Sequence, residues 1–138
     1  MKSLVVLELE NGHPTRPSLS TIEAASQLSE EVDLLILDDT KKDEIAKIEK
    51  INKILCLSGS YENILAEELV PLIESISKDY SYIISPSGTF SKNFMPRLSA
   101  KLDVQQISDV IKIHNKNTFD RPIYAGNAIA TVQSEEKI

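Results

Sequence analysis

Four short apolar runs, each followed by a helical pattern, most constrain what this chain can fold into. They are Leu4-Val5-Val6-Leu7, Val32-Asp33-Leu34-Leu35-Ile36-Leu37, Lys53-Ile54-Leu55-Cys56-Leu57 and Tyr82-Ile83-Ile84. Strands buried on both faces read as continuous hydrophobic runs rather than as alternation. Leu4–Leu7, Val32–Leu37, Ile54–Leu57 and Tyr82–Ile84 are therefore expected to be adjacent parallel strands. Asn11-Gly12 and Pro14 end the first, and Asp38-Asp39 closes the second. Ser18 or Ser20 caps the first helix, with Glu23 at capping-box spacing from Ser20. Its apolar stripe is Ile22, Ala25 and Leu28. Ile45, Ile48 and Ile51 recur every third residue, as in a short amphipathic helix. Leu65, Leu69, Leu72, Ile73 and Ile76 mark the next helix. An interior proline removes a backbone donor, so this helix kinks at Pro71 or begins only a turn before it. Thr89 or Ser91 starts the last helix, where Pro96 raises the same question. Four rounds of strand and helix predict a three-layer α/β domain with helices on both faces of the sheet.

The pattern then changes. From Phe119 to Val132 there is no helical period. Gly126-Asn127, between Ile123-Tyr124-Ala125 and Ala128-Ile129-Ala130, suits a two-residue turn. The tail from Thr118 to Ser134 is expected to form an antiparallel hairpin added to the parallel sheet. An unpaired outer edge carrying Ile129 and Val132 invites pairing with another chain, so self-association or partner binding is expected there.

With 138 residues, the chain is read as one domain, 1–138. The net charge of -6 argues against a nucleic-acid partner, which needs a basic stripe. Lys41, Lys42, Lys47, Lys50 and Lys53 are interleaved with Asp43, Glu44 and Glu49, as on a solvated face. The N-terminus turns polar too soon for a signal peptide, and no apolar run is long enough to span a bilayer. A cytoplasmic protein, or the processed form of a mitochondrial one, is expected.

Candidate chemistry is sparse. Cys56, the one cysteine, lies in an apolar run and reads as a small buried hydrophobe. Gly12, Gly59, Gly88 and Gly126 are too scattered for a dinucleotide fingerprint or a P-loop. Ser58-Gly59-Ser60 and Ser85-Pro86-Ser87-Gly88-Thr89 each leave a parallel strand and enter a helix, where hydroxyls and free N–H groups can hold an anion. Capping and turn formation explain the same residues. Asp38 and Asp39 follow a strand, where a ribose-binding carboxylate can lie, but without the glycines they read as a helix cap. His13 and His114 have no second ligand at metal spacing and read as surface residues. No catalytic, cofactor-binding or metal-binding residue is assigned.

Three segments carry a family resemblance: Phe90-Ser91-Lys92-Asn93 with Met95-Pro96-Arg97, Ala100-Lys101-Leu102-Asp103-Val104 with Ile107-Ser108-Asp109, and Arg121-Pro122-Ile123-Tyr124-Ala125-Gly126-Asn127-Ala128-Ile129-Ala130-Thr131-Val132-Gln133-Ser134. With them the chain, from Leu4 to Ser134, resembles the N-terminal domain of the alpha subunit of electron transfer flavoprotein. The resemblance implies a Rossmann-like fold of the nucleotide alpha hydrolase type. It implies a heterodimer with a beta subunit. That assembly carries electrons from acyl-CoA dehydrogenases to a membrane quinone reductase. The family holds its flavin adenine dinucleotide in a C-terminal domain. The FAD-binding domain and the last strand of the first domain are expected to lie outside these residues, so no flavin-gripping residue is carried over.

Three functions follow. The chain is part of a split or longer electron carrier, a free-standing interaction module, or a small nucleotide-binding domain using Ser85–Thr89. On the first, it holds no flavin by itself. That agrees with an aromatic content of only 5% and no tryptophan to wall an isoalloxazine ring.

Overall fold

The computed structural model describes residues 1–56 and 64–138. The chain begins with β1 (Lys2–Val6), β2 (Leu9–Glu10), β3 (His13–Pro14), α1 (Arg16–Leu28) and β4 (Glu31–Ile36). It continues through α2 (Lys42–Ile45), β5 (Lys53–Cys56), α3 (Ala66–Ile76), β6 (Tyr82–Ile84) and α4 (Thr89–Leu102). It closes with β7 (Lys112–Asn115), β8 (Thr118–Ile123) and β9 (Ala128–Gln133).

The four apolar runs form one parallel sheet in the order β5-β4-β1-β6. Val5 lies opposite Leu34 on one side and Ile84 on the other, and Leu34 lies opposite Ile54. The strand period of two then separates two cores. Leu4 and Val6, with Leu35 and Leu37, face Leu69 and Ile73 of α3 and Phe94 and Leu98 of α4. Val5 and Leu7, with Leu34 and Ile36, face Ile22 and Ala25 of α1 and Ile45 of α2. The three layers expected from the sequence are present. Their helix placement follows from handedness. The steps β1 to β4 to β5 run one way across the sheet, and the step to β6 runs back past β1. Right-handed crossovers therefore place α1 and α2 on one face and α3 on the other.

Several local expectations are corrected. The cap of α1 is Thr15, whose Oγ1 accepts from the Ser18 amide at 3.3 Å, and Pro17 occupies the first turn. Ser18 and Ser20 are inside the helix, and Glu23 pairs with Lys50 on the surface instead of closing a capping box. The helix carrying Ile45 is a single turn, with Ile48 and Ile51 packed on the core from the irregular chain beyond it. In α3, Leu65 is the N-cap and Pro71 lies past the first turn of an unbroken helix. Pro96 likewise lies inside α4. In each, the missing proline N–H leaves one carbonyl without its helical donor while the neighbouring residues keep the packing. Leu57 and the loop Ser58-Gly59-Ser60 lie outside the described residues.

The C-terminal part is larger than a hairpin. β8 pairs antiparallel with β9 from Thr118↔Gln133 to Ile123↔Ala128, and β7 pairs on its other side. The result is a three-stranded sheet with β8 in the centre. Its turn is also longer than expected. Tyr124–Asn127 form it, with Tyr124, Ala125 and Gly126 all at positive φ (51°, 54° and 88°). The two-residue Asn-Gly hairpin is elsewhere, at Asn11-Gly12 between β2 and β3. Asn11 (φ 53°) and Gly12 (φ 80°) both adopt the left-handed conformation that a type I′ turn requires.

Candidate functional site

The reversal of strand order between β1 and β6 is a topological switch point. In open α/β sheets, ligands bind in the crevice beyond the strand carboxyl ends at such a point. Two serines fill this place. Ser18, buried in the first turn of α1, accepts from the Glu8 amide at 3.0 Å and donates to the Glu8 carbonyl at 2.9 Å. It thereby latches the exit of β1 to α1 at both backbone atoms. Ser85, leaving β6, donates to the Val6 carbonyl at 3.0 Å and lies 2.6 Å from the Ser91 hydroxyl, which also reaches the Pro86 carbonyl. Ser87 donates to Asp109.

Of the hydroxyls in the Ser85–Thr89 loop, those of Ser85 and Ser87 are thus engaged by the protein itself, as is that of Ser91 in the first turn of α4. A phosphate cradle needs donors turned outward. The hydroxyls of Ser85 and Ser87 are turned to protein partners instead.

The other candidates are also placed. Asp38 is buried and accepts from the amide of Thr40 at 2.8 Å and from its hydroxyl. These two bonds hold its carboxyl below the usual range. It closes the turn ahead of α2 rather than capping that helix, whose N-cap is Lys41. Asp39 is exposed. Cys56 is half-buried at the end of β5, against the α1 core. Of the lysine group, Lys50 pairs with Glu23 at 3.0 Å and Lys53 lies 4.0 Å from Asp33. No group of three metal-ligating side chains occurs among the described residues.

Both histidines have carboxylate partners that linear spacing does not show. His13 Nδ1 lies 3.5 Å from Glu44 on the surface. His114, in β7, lies with Nε2 2.8 Å from Asp120 of β8. Thr131 of β9 donates to the same carboxyl oxygen at 2.7 Å. The Thr131 hydroxyl first, and His114 second, hold Asp120 below the ordinary carboxylate range. One carboxylate thus ties all three strands. No sequence signal pairs residues on three separate strands before the register is known.

The remaining surface of interest is the outer edge of β9. Its six residues carry no charge and no proline, and no described strand pairs beyond it. Ile129 is 63% exposed there, and Tyr124, in the adjoining turn, is 79% exposed. Two of the other edges are guarded. β6 is three residues long, and β7 carries Lys112 and His114 with an irregular register between Ile113 and Asn115. Proteins blunt free edges with such charges, irregularities and short strands. Beside β9 runs a polar groove of about 350 Å³, lined by Gln105, Gln106, Ser108, Arg121, Glu135 and Glu136 among others.

Comparisons with known proteins agree with this architecture. The family model of the electron transfer flavoprotein domain matches residues 3–138. The chain is 38% identical to the electron transfer flavoprotein subunit alpha of Pseudomonas aeruginosa, over 100% of this chain and 46% of that protein. It is 39% identical to the subunit alpha of Paracoccus denitrificans, over 99% of this chain and 46% of that one. It is 36% identical to the mitochondrial subunit alpha of Dictyostelium discoideum, over 97% and 41%. The chain spans less than half the length of these relatives.

Proposed function

The chain belongs to the electron transfer flavoprotein domain family, and from that premise we propose that it is a scaffold and subunit-contact domain of an alpha-type subunit. Its contact surface is the edge of β9. The observation that carries this reading is that β9 is uncharged and pairs with no further strand among the described residues, while β6 is short and β7 carries Lys112 and His114. β-Strand addition uses such an edge, with main-chain hydrogen bonds supplying affinity. The partner is a beta-type subunit. The assembly passes electrons from acyl-CoA and related dehydrogenases towards the quinone pool, in a bacterial cytoplasm or a mitochondrial matrix. Among the described residues no helix is long and apolar enough to cross a membrane.

The domain by itself holds no flavin. Support comes from the engaged hydroxyls of Ser18 and Ser85 at the switch point. The test is co-expression with a beta-type chain, followed by affinity capture. The wild-type chain should retain the partner and Ile129→Lys should lose it. Equal capture of both would remove β9 from the contact. A flavin absorbance band that stays with the isolated chain through gel filtration would overturn the claim about the cofactor.

A further inference from the structure

Residues 103–111 leave α4 and lead into β7. At their two ends Asp103 and Asp109 adopt left-handed backbone (φ 55° each), a conformation aspartate tolerates better than most residues. The segment between is pinned on both sides. Ser87, from the loop after β6, donates to Asp109. Arg121 of β8 donates through Nε to the Ser108 carbonyl at 3.0 Å and through Nη2 to its hydroxyl at 3.2 Å. The Ile111 amide donates to the Asp120 carbonyl at 2.9 Å.

This strap matters because little apolar packing joins the two sheets. No residue beyond Leu102 belongs to either hydrophobic core. Phe119 is the one buried apolar side chain of the three-stranded sheet among the described residues. Further ties include the approach of β7 to α1 and a hydrogen bond from the Tyr82 hydroxyl to the Lys116 carbonyl at 2.6 Å. Regions with few buried apolar contacts open locally at a lower free energy than the core.

We propose that the three-stranded sheet opens from the parallel-sheet body as one unit, and that the strap, held by Ser87 and Arg121, sets its closed pose. Within the unit, the Asp120 tie across three strands keeps β7, β8 and β9 together while the strap lets go. The inference concerns the chain by itself and is independent of what docks on β9.

Hydrogen exchange of the full 138-residue chain, read by mass spectrometry, tests it. Amides of Thr118–Ile123 and Ala128–Gln133 should exchange together through an opening that leaves Lys2–Val6 and Glu31–Ile36 protected. Arg121→Ala removes two charge-assisted bonds and should speed exchange in β8 and β9 about tenfold, with β1 and β4 unchanged. Ser87→Ala, which releases the neighbouring strap residue Asp109 from the body, should act in the same direction and less strongly. The proposal is overturned if both sheets exchange in one common opening in the wild type. It is overturned if Arg121→Ala leaves β8 and β9 unchanged, or if that variant loses the parallel sheet as well.

Discussion

The parallel sheet and the three-stranded sheet are held by different forces. In the first, Leu4, Val5, Val6 and Leu7 are buried completely or nearly so, and helices cover both faces. Burial at roughly 25 cal/mol per Å² of apolar surface dominates there. In the second, β9 alternates half-buried and exposed residues, and the cross-strand tie is polar. A region held by burial cannot offer its strands to a partner without dismantling its core. A region held by cross-strand hydrogen bonds can present an edge while remaining folded.

Breaking the core should have the largest effect. Phe94 is 1% exposed between α4 and the sheet. Phe94→Ala should cost about 3–5 kcal/mol in denaturant unfolding. A loss below ~1 kcal/mol would mean that the parallel sheet is not held by packing as described. Next is the polar network buried within that core. Asp33, 0% exposed, accepts from the Tyr80 hydroxyl at 2.7 Å and from the Asn52 amide at 3.0 Å. Tyr80→Phe removes a bond to a charged group and should cost about 1.5–3 kcal/mol.

The same tyrosine adds a pH signature. Burial first, and Asp33 second, raise its pKa, so the folded state holds the phenol proton more tightly than the unfolded chain. The contribution is complete below about pH 10 and is lost as pH rises above it. Unfolding titrations of wild type and Tyr80→Phe should therefore converge at high pH.

The three-stranded sheet should respond at the other end of the scale. Asp120 is depressed, so its contribution is complete above about pH 4 and is lost as pH falls below its folded pKa. Asp120→Asn should remove part of that acid sensitivity, seen as exchange in β8 and β9 that changes less between pH 6 and pH 3, after correction for intrinsic rates. An unchanged acid response would show that the tie across the strands is not what holds them. Smallest of all for stability is Ile129→Lys. At an exposed edge it should shift unfolding by less than about 0.5 kcal/mol while abolishing capture of a partner. That pairing of a small folding effect with a large binding effect is the sharpest form of the contrast.

The two regions were also unequally legible in the sequence. Continuous apolar runs identify parallel strands because burial on both faces leaves no room for polar residues, and all four runs became neighbours. Caps were misread because several hydroxyls compete near one helix start. Thr15, Ser18 and Ser20 all qualify by type, and the choice rests on Ser18 being drawn to Glu8 by the fold. Turns were misread for a related reason. Asn11-Gly12 carries the stronger local hairpin signal, but β2 and β3 are only two residues each and show no strand pattern. At Gly126-Asn127 the flanking strands are plain, yet the turn took in Tyr124 and Ala125 because the register Ile123↔Ala128 leaves four residues to close it. The engagement of Ser85 was illegible, since its partner is the Val6 carbonyl, 79 positions away.

That distance sets a timetable. β1 precedes the other described strands, yet it is central in its sheet and needs β4 on one side and β6 on the other. Contacts between distant segments form slowly, because the entropy of closing the intervening loop is lost before the contact is gained. Until Tyr82–Ile84 arrives, one side of Lys2–Val6 stays unpaired, with an apolar face that later packs on α3 and α4. The β8–β9 hairpin closes across four residues and can form within microseconds of emerging. β8 and β9 should therefore acquire their pairing early although they lie late in these 138 residues, and β1 late although it precedes them. A nascent chain stalled before residue 82 would be the form most prone to aggregate, through β1 rather than through β9.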